Sequence, residues 1–227
     1  MSEYNEQKLN ELRERFEEVD TANVADVMDS LGYCDYGLSH EFRPFTAEGK
    51  KIAGWAYTIR GQMSPFPQGG DKKKMQACNG IGVGEVSVWS GDGQGICYFG
   101  ELIALGMREK GSVGALVDGG IRDVRWIDEH EIPVYARYRT PVQSIGRWMV
   151  TDFQIPVFLK GATTSRVQVR PGDFILGDED GVIVIPVEII EEVLEEAERL
   201  THMEKQIRIE LSNGLTLGEA LEKYGHV

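Results

Sequence analysis

The sequence predicts an α/β fold with helices at both ends of the chain. Between residues 84 and 138, strand-like apolar runs alternate with helical patterns, which is typical of a sheet that contains parallel strands. The segment "GDFILGDEDGVIVIP" at 172–186 has the pattern and the Asp-Gly turn of a β-hairpin. Residues 1–20 and 187–227 have helical patterns. These three observations predict one core with parallel and antiparallel strands, flanked by helices.

Local signals define each element in chain order. An amphipathic stripe predicts a helix over 5–19. Thr21 as N-cap and Gly32 as the stop predict a second helix through Leu31. Further helices are expected at 99–110, at 121–130 and from Pro186 to about residue 211. Strands are expected at 50–61, 84–93, 113–118, 132–138 and 153–161, and a loop at 63–74.

The bulk composition excludes several classes of function. The 227 residues carry a net charge of −13, which repels phosphate backbones, so nucleic-acid binding is not expected. No apolar run approaches the roughly 20 residues that cross a bilayer, and no secretory signal is recognisable. The three cysteines show no metal-ligand spacing, which favours a reduced, cytoplasmic location. Without a linker or repeat, residues 1–227 are interpreted as one domain.

The adjacent pair Arg122–Asp123 is the first candidate site. It follows a buried strand and two glycines, and ligands of α/β sheets bind beyond the carboxyl ends of strands. An arginine there can clamp a carboxylate, and an aspartate can hold a divalent cation. A structural ion pair on the first turn of a helix is an equally good interpretation of the pattern alone.

Glu101 is the second candidate, at the start of a predicted helix preceded by Gly100. The free N–H groups of such a helix start favour a substrate carboxylate, and glycine would let it approach the backbone. The alternative is a first-turn acid that complements the helix dipole.

Glu204 is the third candidate because it interrupts an otherwise apolar stripe of the C-terminal helix. The members of the stripe are Ile190, Val193, Ala197, Leu200, Glu204, Ile207 and Leu211. A carboxylate on a packing face is costly unless it is paired or bound. Glu204 therefore either lies in solvent beyond the body of the protein or reaches a polar site, including one in a neighbouring subunit.

Lysine-based chemistry is not expected from the sequence. Lys74 and Lys160 are the lysines considered for a Schiff base, but no neighbouring residue in the sequence indicates a depressed pKa. The basic run "DKKKM" at 71–75 is interpreted as a solvated loop.

Three segments together resemble the RraA-like family: "FGELIALG", "GALVDGGIRDVRWIDEHEIPVYARYRTP" and "GDFILGDEDGVIVIP". That family includes 4-hydroxy-4-methyl-2-oxoglutarate / 4-carboxy-4-hydroxy-2-oxoadipate aldolases, regulators of ribonuclease activity A, and proteins mislabelled as demethylmenaquinone methyltransferases. The resemblance covers roughly residues 20 to 205. Its most specific part is an acidic residue, twenty intervening residues and then Arg-Asp, here Glu101 and Arg122–Asp123.

The resemblance implies a swivelling β/β/α domain with helical N- and C-terminal extensions. It further implies a ring-shaped trimer, or a dimer of trimers, with the site between subunits. Asp123 would hold Mg²⁺ or Mn²⁺, and Arg122 would bind the pyruvyl part of a 2-oxo acid. Backbone amides of Gly100, Glu101, Leu102 and Ile103 would bind its carboxylate. Glu101, and Glu204 from the adjacent subunit, would contact the metal through water.

The activity implied is retro-aldol cleavage of a 4-hydroxy-2-oxo acid to pyruvate, or decarboxylation of oxaloacetate, through a metal-stabilised enolate. A non-catalytic regulatory protein of the ribonuclease-regulator type is the alternative. The aldolases of the family more often carry Asp at the first acidic position, and Glu101 departs from that pattern. The identity of the substrate therefore does not follow from the resemblance.

Overall fold

The protein is described from a computed structural model, in which residues 4–47, 49–64, 70–91 and 93–227 are described. The helices are α1 Glu6–Phe16, α2 Thr21–Ser30, α3 Lys72–Gly80, α4 Glu101–Arg108, α5 Val124–Glu129, α6 Ile190–Ser212 and α7 Leu217–Tyr224. The strands are β1 Arg43–Thr46, β2 Ile52–Met63, β3 Glu85–Ser90, β4 Cys97–Phe99, β5 Gly114–Ile121, β6 Val134–Arg139, β7 Trp148–Phe153, β8 Val157–Lys160, β9 Arg166–Val169, β10 Phe174–Gly177 and β11 Val182–Ile185. A 3-10 turn, Val187–Ile189, leads into α6.

One sheet contains nine strands, with the central order β1-β6-β5-β3-β2-β10-β11. The pairs β2–β3, β3–β5 and β5–β6 are parallel, and β4 pairs in parallel with β5. The pairs β1–β6, β2–β7, β2–β10 and β10–β11 are antiparallel. The predicted α/β class, with both kinds of pairing and helices at both ends, is confirmed.

The buried apolar side chains of the described residues form three clusters, two of which involve the helices. One cluster contains residues of α3, α4 and α5 with Trp89, Tyr98 and Trp148. Another joins α1, α2 and α6 to β2, β10 and β11, and Phe16 and Phe174 pack at 4.6 Å between ring centroids. The terminal helices therefore bury the amphipathic stripes that predicted them. None of the described helices is long and apolar enough to span a membrane.

Four local predictions were wrong. The helix expected at 121–130 begins at Val124, because β5 continues through Gly119 and Gly120 to Ile121. A Cβ on Gly119 would lie 2.4 Å from the ring of Tyr98, and one on Gly120 would lie 2.5 Å from the Ile96 carbonyl oxygen. These glycines serve close packing inside the sheet and not a turn.

The predicted loop 63–74 lies partly outside the described residues, but its last three residues open α3, with Asp71 as N-cap. The interpretation of 71–75 as a solvated loop was therefore wrong. Three consecutive lysines lie at the start of α3, and their charge masks the helical pattern in the sequence. Strands β1, β7 and β9 were not predicted, and the strand expected at 153–161 begins at Val157. These strands are short and carry charged residues, so their hydrophobic pattern is weak.

Candidate functional site

The parallel pairing of β4 with β5 creates the site, because both strands end at the same edge of the sheet. Phe99, the last residue of β4, lies opposite Ile121, the last residue of β5. The next residues along each strand are Gly100 and Arg122, and the Arg122 N–H donates to the Phe99 carbonyl oxygen at 3.1 Å. Segments 22 residues apart in sequence thus meet at one edge.

A cleft of about 430 Å³ opens at this edge. Its walls are mostly apolar, and its charged side chains are few. The described residues lining it are Gly70, Asp71, Lys74, Met75, Cys97, Tyr98, Phe99, Gly100, Leu102, Ile103, Arg122, Asp123, Gln143, Ser144, Ile145, Gly146 and Trp148. Burial raises the pKa of the Cys97 thiol, so this cysteine is protonated and is a poor nucleophile.

Arg122 and Asp123 form an ion pair at the rim, with 3.3 Å between Arg122 Nε and Asp123 Oδ2. Asp123 precedes α5 with φ at 58°, in the left-handed region that aspartate tolerates better than most residues. Its carboxylate makes no capping hydrogen bond to that helix. The pair predicted as either structural or functional is therefore an ion pair, and it also faces the cleft.

Gly100 leaves the space that the Asp123 carboxylate occupies. A Cβ at position 100 would lie 2.8 Å from Asp123 Oδ2 and 3.2 Å from Arg122 Cγ. Because φ is −152° and ψ is −179° at Gly100, any residue could adopt this backbone. The need for glycine here comes from the site and not from the local chain conformation.

The N-terminus of α4 faces the same cleft through Gly100, Leu102 and Ile103. It has no side-chain cap, and the first N–H groups of a helix have no partner within the helix. Glu101 does not line the cleft, since its carboxylate is directed at α5 and lies 4.0 Å from His130 Nε2. The described geometry therefore brings the predicted backbone donors to Arg122, but not the Glu101 carboxylate.

Among the described residues that line the cleft, Asp123 provides the one suitable carboxylate for a metal ion beside Arg122. Asp71 also lines the cleft, but its two oxygens accept the N–H groups of Lys74 at 2.9 Å and of Val150 at 2.8 Å. Within the described ranges, no group of three or more His, Cys, Asp or Glu residues could hold a metal ion. One carboxylate still fits Mg²⁺, which keeps several waters and needs one or two such ligands.

Glu204 lies elsewhere in this chain, on α6. Its carboxylate contacts Arg208 Nη2 at 2.7 Å and His226 Nε2 at 3.3 Å, and its side chain is 20% exposed. It is thus neither fully solvated nor close to Arg122 within one subunit. Its predicted contribution to a neighbouring subunit stays a prediction.

Lys74 also lines the cleft, although no role in a site was predicted for it from the sequence. Burial lowers the pKa of its ammonium, contrary to the expectation drawn from its sequence neighbours. A helical spacing in the sequence could have identified it, because Lys74, Ala77, Cys78 and Ile81 form one stripe at i, i+3, i+4 and i+7. The last three of these residues are buried, so Lys74 also turns inward.

A family model named RraA-like, described as Aldolase/RraA, matches residues 21–184. A protein from Halalkalibacterium halodurans, provisionally named 4-hydroxy-4-methyl-2-oxoglutarate aldolase, is 28% identical over 82% of this chain and 81% of its own length. Protein DlpA of Legionella pneumophila is 29% identical over 89% of this chain, but the match spans 32% of DlpA.

A solved structure, titled as novel cellulases from microbes associated with the gut ecosystem, superposes with a TM-score of 0.80. The two sequences are 31% identical, and the match covers 87% of this chain and 86% of the other.

Proposed function

The chain belongs to the RraA-like family, described as Aldolase/RraA, and we propose that it is a divalent-metal-dependent lyase acting on 2-oxo acids. The reaction is retro-aldol cleavage of a 4-hydroxy-2-oxo acid to pyruvate, or decarboxylation of oxaloacetate. The observation that carries this proposal is the meeting of Arg122, Asp123 and the open N-terminus of α4 at one cleft. The aldolase name of a relative that matches most of this chain supports it.

The residues of the cleft suit the charge changes of such a reaction. The N–H groups at the start of α4 can bind the carboxylate of a 2-oxo acid. Arg122 can donate to the keto oxygen beside it and stabilise the negative charge that develops there when the neighbouring bond breaks. A ligand that fills the cleft would displace water from its mostly apolar walls, which would strengthen both interactions.

Asp123 would hold Mg²⁺ or Mn²⁺, which when bound would supply Lewis-acid stabilisation of the developing enolate charge. Gly100 keeps the space for this carboxylate, and Arg122 holds it in place in the structure. Glu101 is proposed to act through water, because its carboxylate does not line the cleft directly.

An oligomer with the site between subunits, such as a trimer, is part of the proposal. Leu102 and Ile145, both at the cleft, are 80% and 71% exposed. Exposed apolar side chains around a polar site are typical of a surface that another chain covers. Glu204 of a neighbouring subunit is the proposed further ligand.

Glycoside hydrolysis fits this cleft poorly, despite the cellulase title of one similar structure. That reaction needs two carboxyl groups on opposite sides of the bond. Of the described carboxylates lining the cleft, Asp123 is available, while both oxygens of Asp71 accept backbone N–H groups. A regulatory, non-catalytic role stays the alternative.

The decisive experiment is pyruvate release from oxaloacetate and from 4-hydroxy-4-methyl-2-oxoglutarate, measured with Mg²⁺, with Mn²⁺ and with EDTA. We expect release with either metal and a loss of at least about a hundredfold with EDTA, because the enolate charge would lose its cation. Restoration by added Mg²⁺ is the control for damage by the chelator. Equal release with and without metal would contradict metal dependence, and no release from either substrate would favour the regulatory alternative.

Gly100→Ala is expected to lower kcat/KM by about a hundredfold, since the new methyl group displaces the Asp123 carboxylate. The free energy of unfolding should change by less than about 1 kcal/mol, because a terminal carboxylate can move aside. The matched control is Gly106→Ala in α4, the helix that follows Gly100, where a Cβ meets no atom within 4 Å. Gly106→Ala should keep full activity. A Gly100→Ala enzyme as active as this control would show that the space left for the Asp123 carboxylate is not needed for the reaction.

A further inference from the structure

The cleft contains a second cation, Lys74, which does not belong to the family motif. Its Nζ donates to the Tyr98 carbonyl oxygen, while the Arg122 N–H donates to the next carbonyl oxygen, that of Phe99. Both residues line the same cleft. The Lys74 ammonium and the backbone of Arg122 thus contact consecutive residues of β4, which places both residues at the same end of this strand.

The Lys74 ammonium lies in an aromatic environment, and no described residue supplies a counter-ion to it. Its Nζ is 5.4 Å from the ring centroid of Trp89 and 5.9 Å from that of Trp148, and these side chains are 0% and 2% exposed. In the described part of the chain Lys74 forms no ion pair, whereas its neighbour Lys73 lies 3.6 Å from Asp152. The nearby Asp71 carboxylate is already occupied by two backbone N–H groups.

This arrangement is unfavourable unless an anion enters the cleft. A largely buried charge costs free energy when it is not paired, and burial accordingly holds the pKa of Lys74 below its ordinary value. An ammonium has three donors, and the Tyr98 carbonyl accepts one of them. The other two donors form no hydrogen bond to any described residue, so they are available to a ligand.

We propose that Lys74 is a specificity-determining residue that binds a second carboxylate of the ligand, while Arg122 binds the 2-oxo acid end. The cleft would thereby select 2-oxo acids that carry two carboxylates over equally long ones that carry one. This inference rests on the proposed function, because it assumes that the 2-oxo acid group binds at Arg122. It assigns a role to a residue outside the Glu101 and Arg122–Asp123 motif.

The test is calorimetric binding of two ligands of equal chain length, 2-oxoglutarate and 2-oxopentanoate, in the presence of Mg²⁺. They differ in the second carboxylate alone. The proteins are the wild type, Lys74→Met, and Lys73→Met as the matched control on the same helix. We expect both the wild type and Lys73→Met to bind 2-oxoglutarate at least about tenfold more tightly than 2-oxopentanoate. One charge-assisted hydrogen bond is enough to produce this difference.

In Lys74→Met the affinities for 2-oxoglutarate and 2-oxopentanoate should become equal within about threefold. The affinity for 2-oxoglutarate should fall, while that for 2-oxopentanoate should stay unchanged. Its melting temperature should not fall, because the substitution removes an unpaired charge from an apolar environment. An unchanged preference in Lys74→Met, or an equal loss for both ligands, would overturn the role of Lys74 and leave the proposed function intact. Binding of neither ligand by the wild type would instead refute the 2-oxo acid site itself, and this inference with it.

Borohydride treatment with 2-oxopentanoate, followed by mass spectrometry, separates ion pairing from covalent chemistry. We expect no adduct on Lys74. A reduced adduct there would identify Lys74 as an imine-forming nucleophile and overturn the proposed ion pair.

Discussion

Asp123→Asn is expected to reduce metal-dependent pyruvate release by about a thousandfold, the largest effect of any single substitution in this chain. The neutral amide keeps the shape of the side chain but loses the charge that would hold a divalent cation. Asparagine also tolerates the left-handed backbone at this position, where φ is 58°, so the variant should fold normally. Alanine at position 123 would add backbone strain, so a loss of activity could come from the strain as well as from the missing carboxylate.

The measurement is kcat/KM with saturating Mn²⁺, together with Mn²⁺ affinity followed by electron paramagnetic resonance. Asp29→Asn serves as the control, because Asp29 is an exposed carboxylate on α2, outside the cleft. The control should retain full activity and full Mn²⁺ affinity. Full activity in Asp123→Asn would refute the assignment of Asp123 to the metal.

Arg122→Met is expected to lower kcat/KM by about a hundredfold while leaving Mn²⁺ affinity nearly unchanged. Methionine retains much of the apolar stem, but it cannot donate to the keto oxygen where charge develops. Arg122→Lys should recover part of the activity, because an ammonium supplies a charge but not the paired donors of a guanidinium. The fold should persist, since the Arg122–Asp123 ion pair is well exposed and contributes little stability.

Arg125→Met provides the matched control for Arg122. Arg125 lies three residues later, with its side chain 80% exposed and 3.0 Å from Glu129. Its loss should not alter kcat/KM. An Arg122→Met enzyme as active as this control would mean that Arg122 has no part in the reaction.

Much of the fold could be predicted from local sequence patterns. The amphipathic stripe near the N-terminus, the buried strand at 113–118 and the hairpin at 172–186 all lie where their periodicity placed them. Helix α3 could not be predicted in the same way, because three lysines at its start obscure the apolar stripe on its inner face. Strand β7 was missed because its polar side chains alternate with only a few buried ones.

The candidate site was predictable in part. Arg122 and Asp123 are neighbours in the chain, so their proximity needs no fold, and their position after a buried strand indicated the sheet edge. The contacts that the Glu101 and Glu204 carboxylates make could not be predicted from the sequence. Glu101 faces His130 and Glu204 faces Arg208 and His226, contacts that depend on how helices pack against one another.

The sequence by itself determined the α/β class, the family, and the Arg-Asp pair at the end of a strand. These properties follow from hydrophobic period and from residues adjacent in the chain, which are local. The tertiary structure alone decided that β4 pairs with β5 so that Gly100 meets Asp123, and that Lys74 turns into the same cleft. Those contacts arise from strand register and helix packing between distant segments, where burial outweighs the local preference of a lysine for solvent.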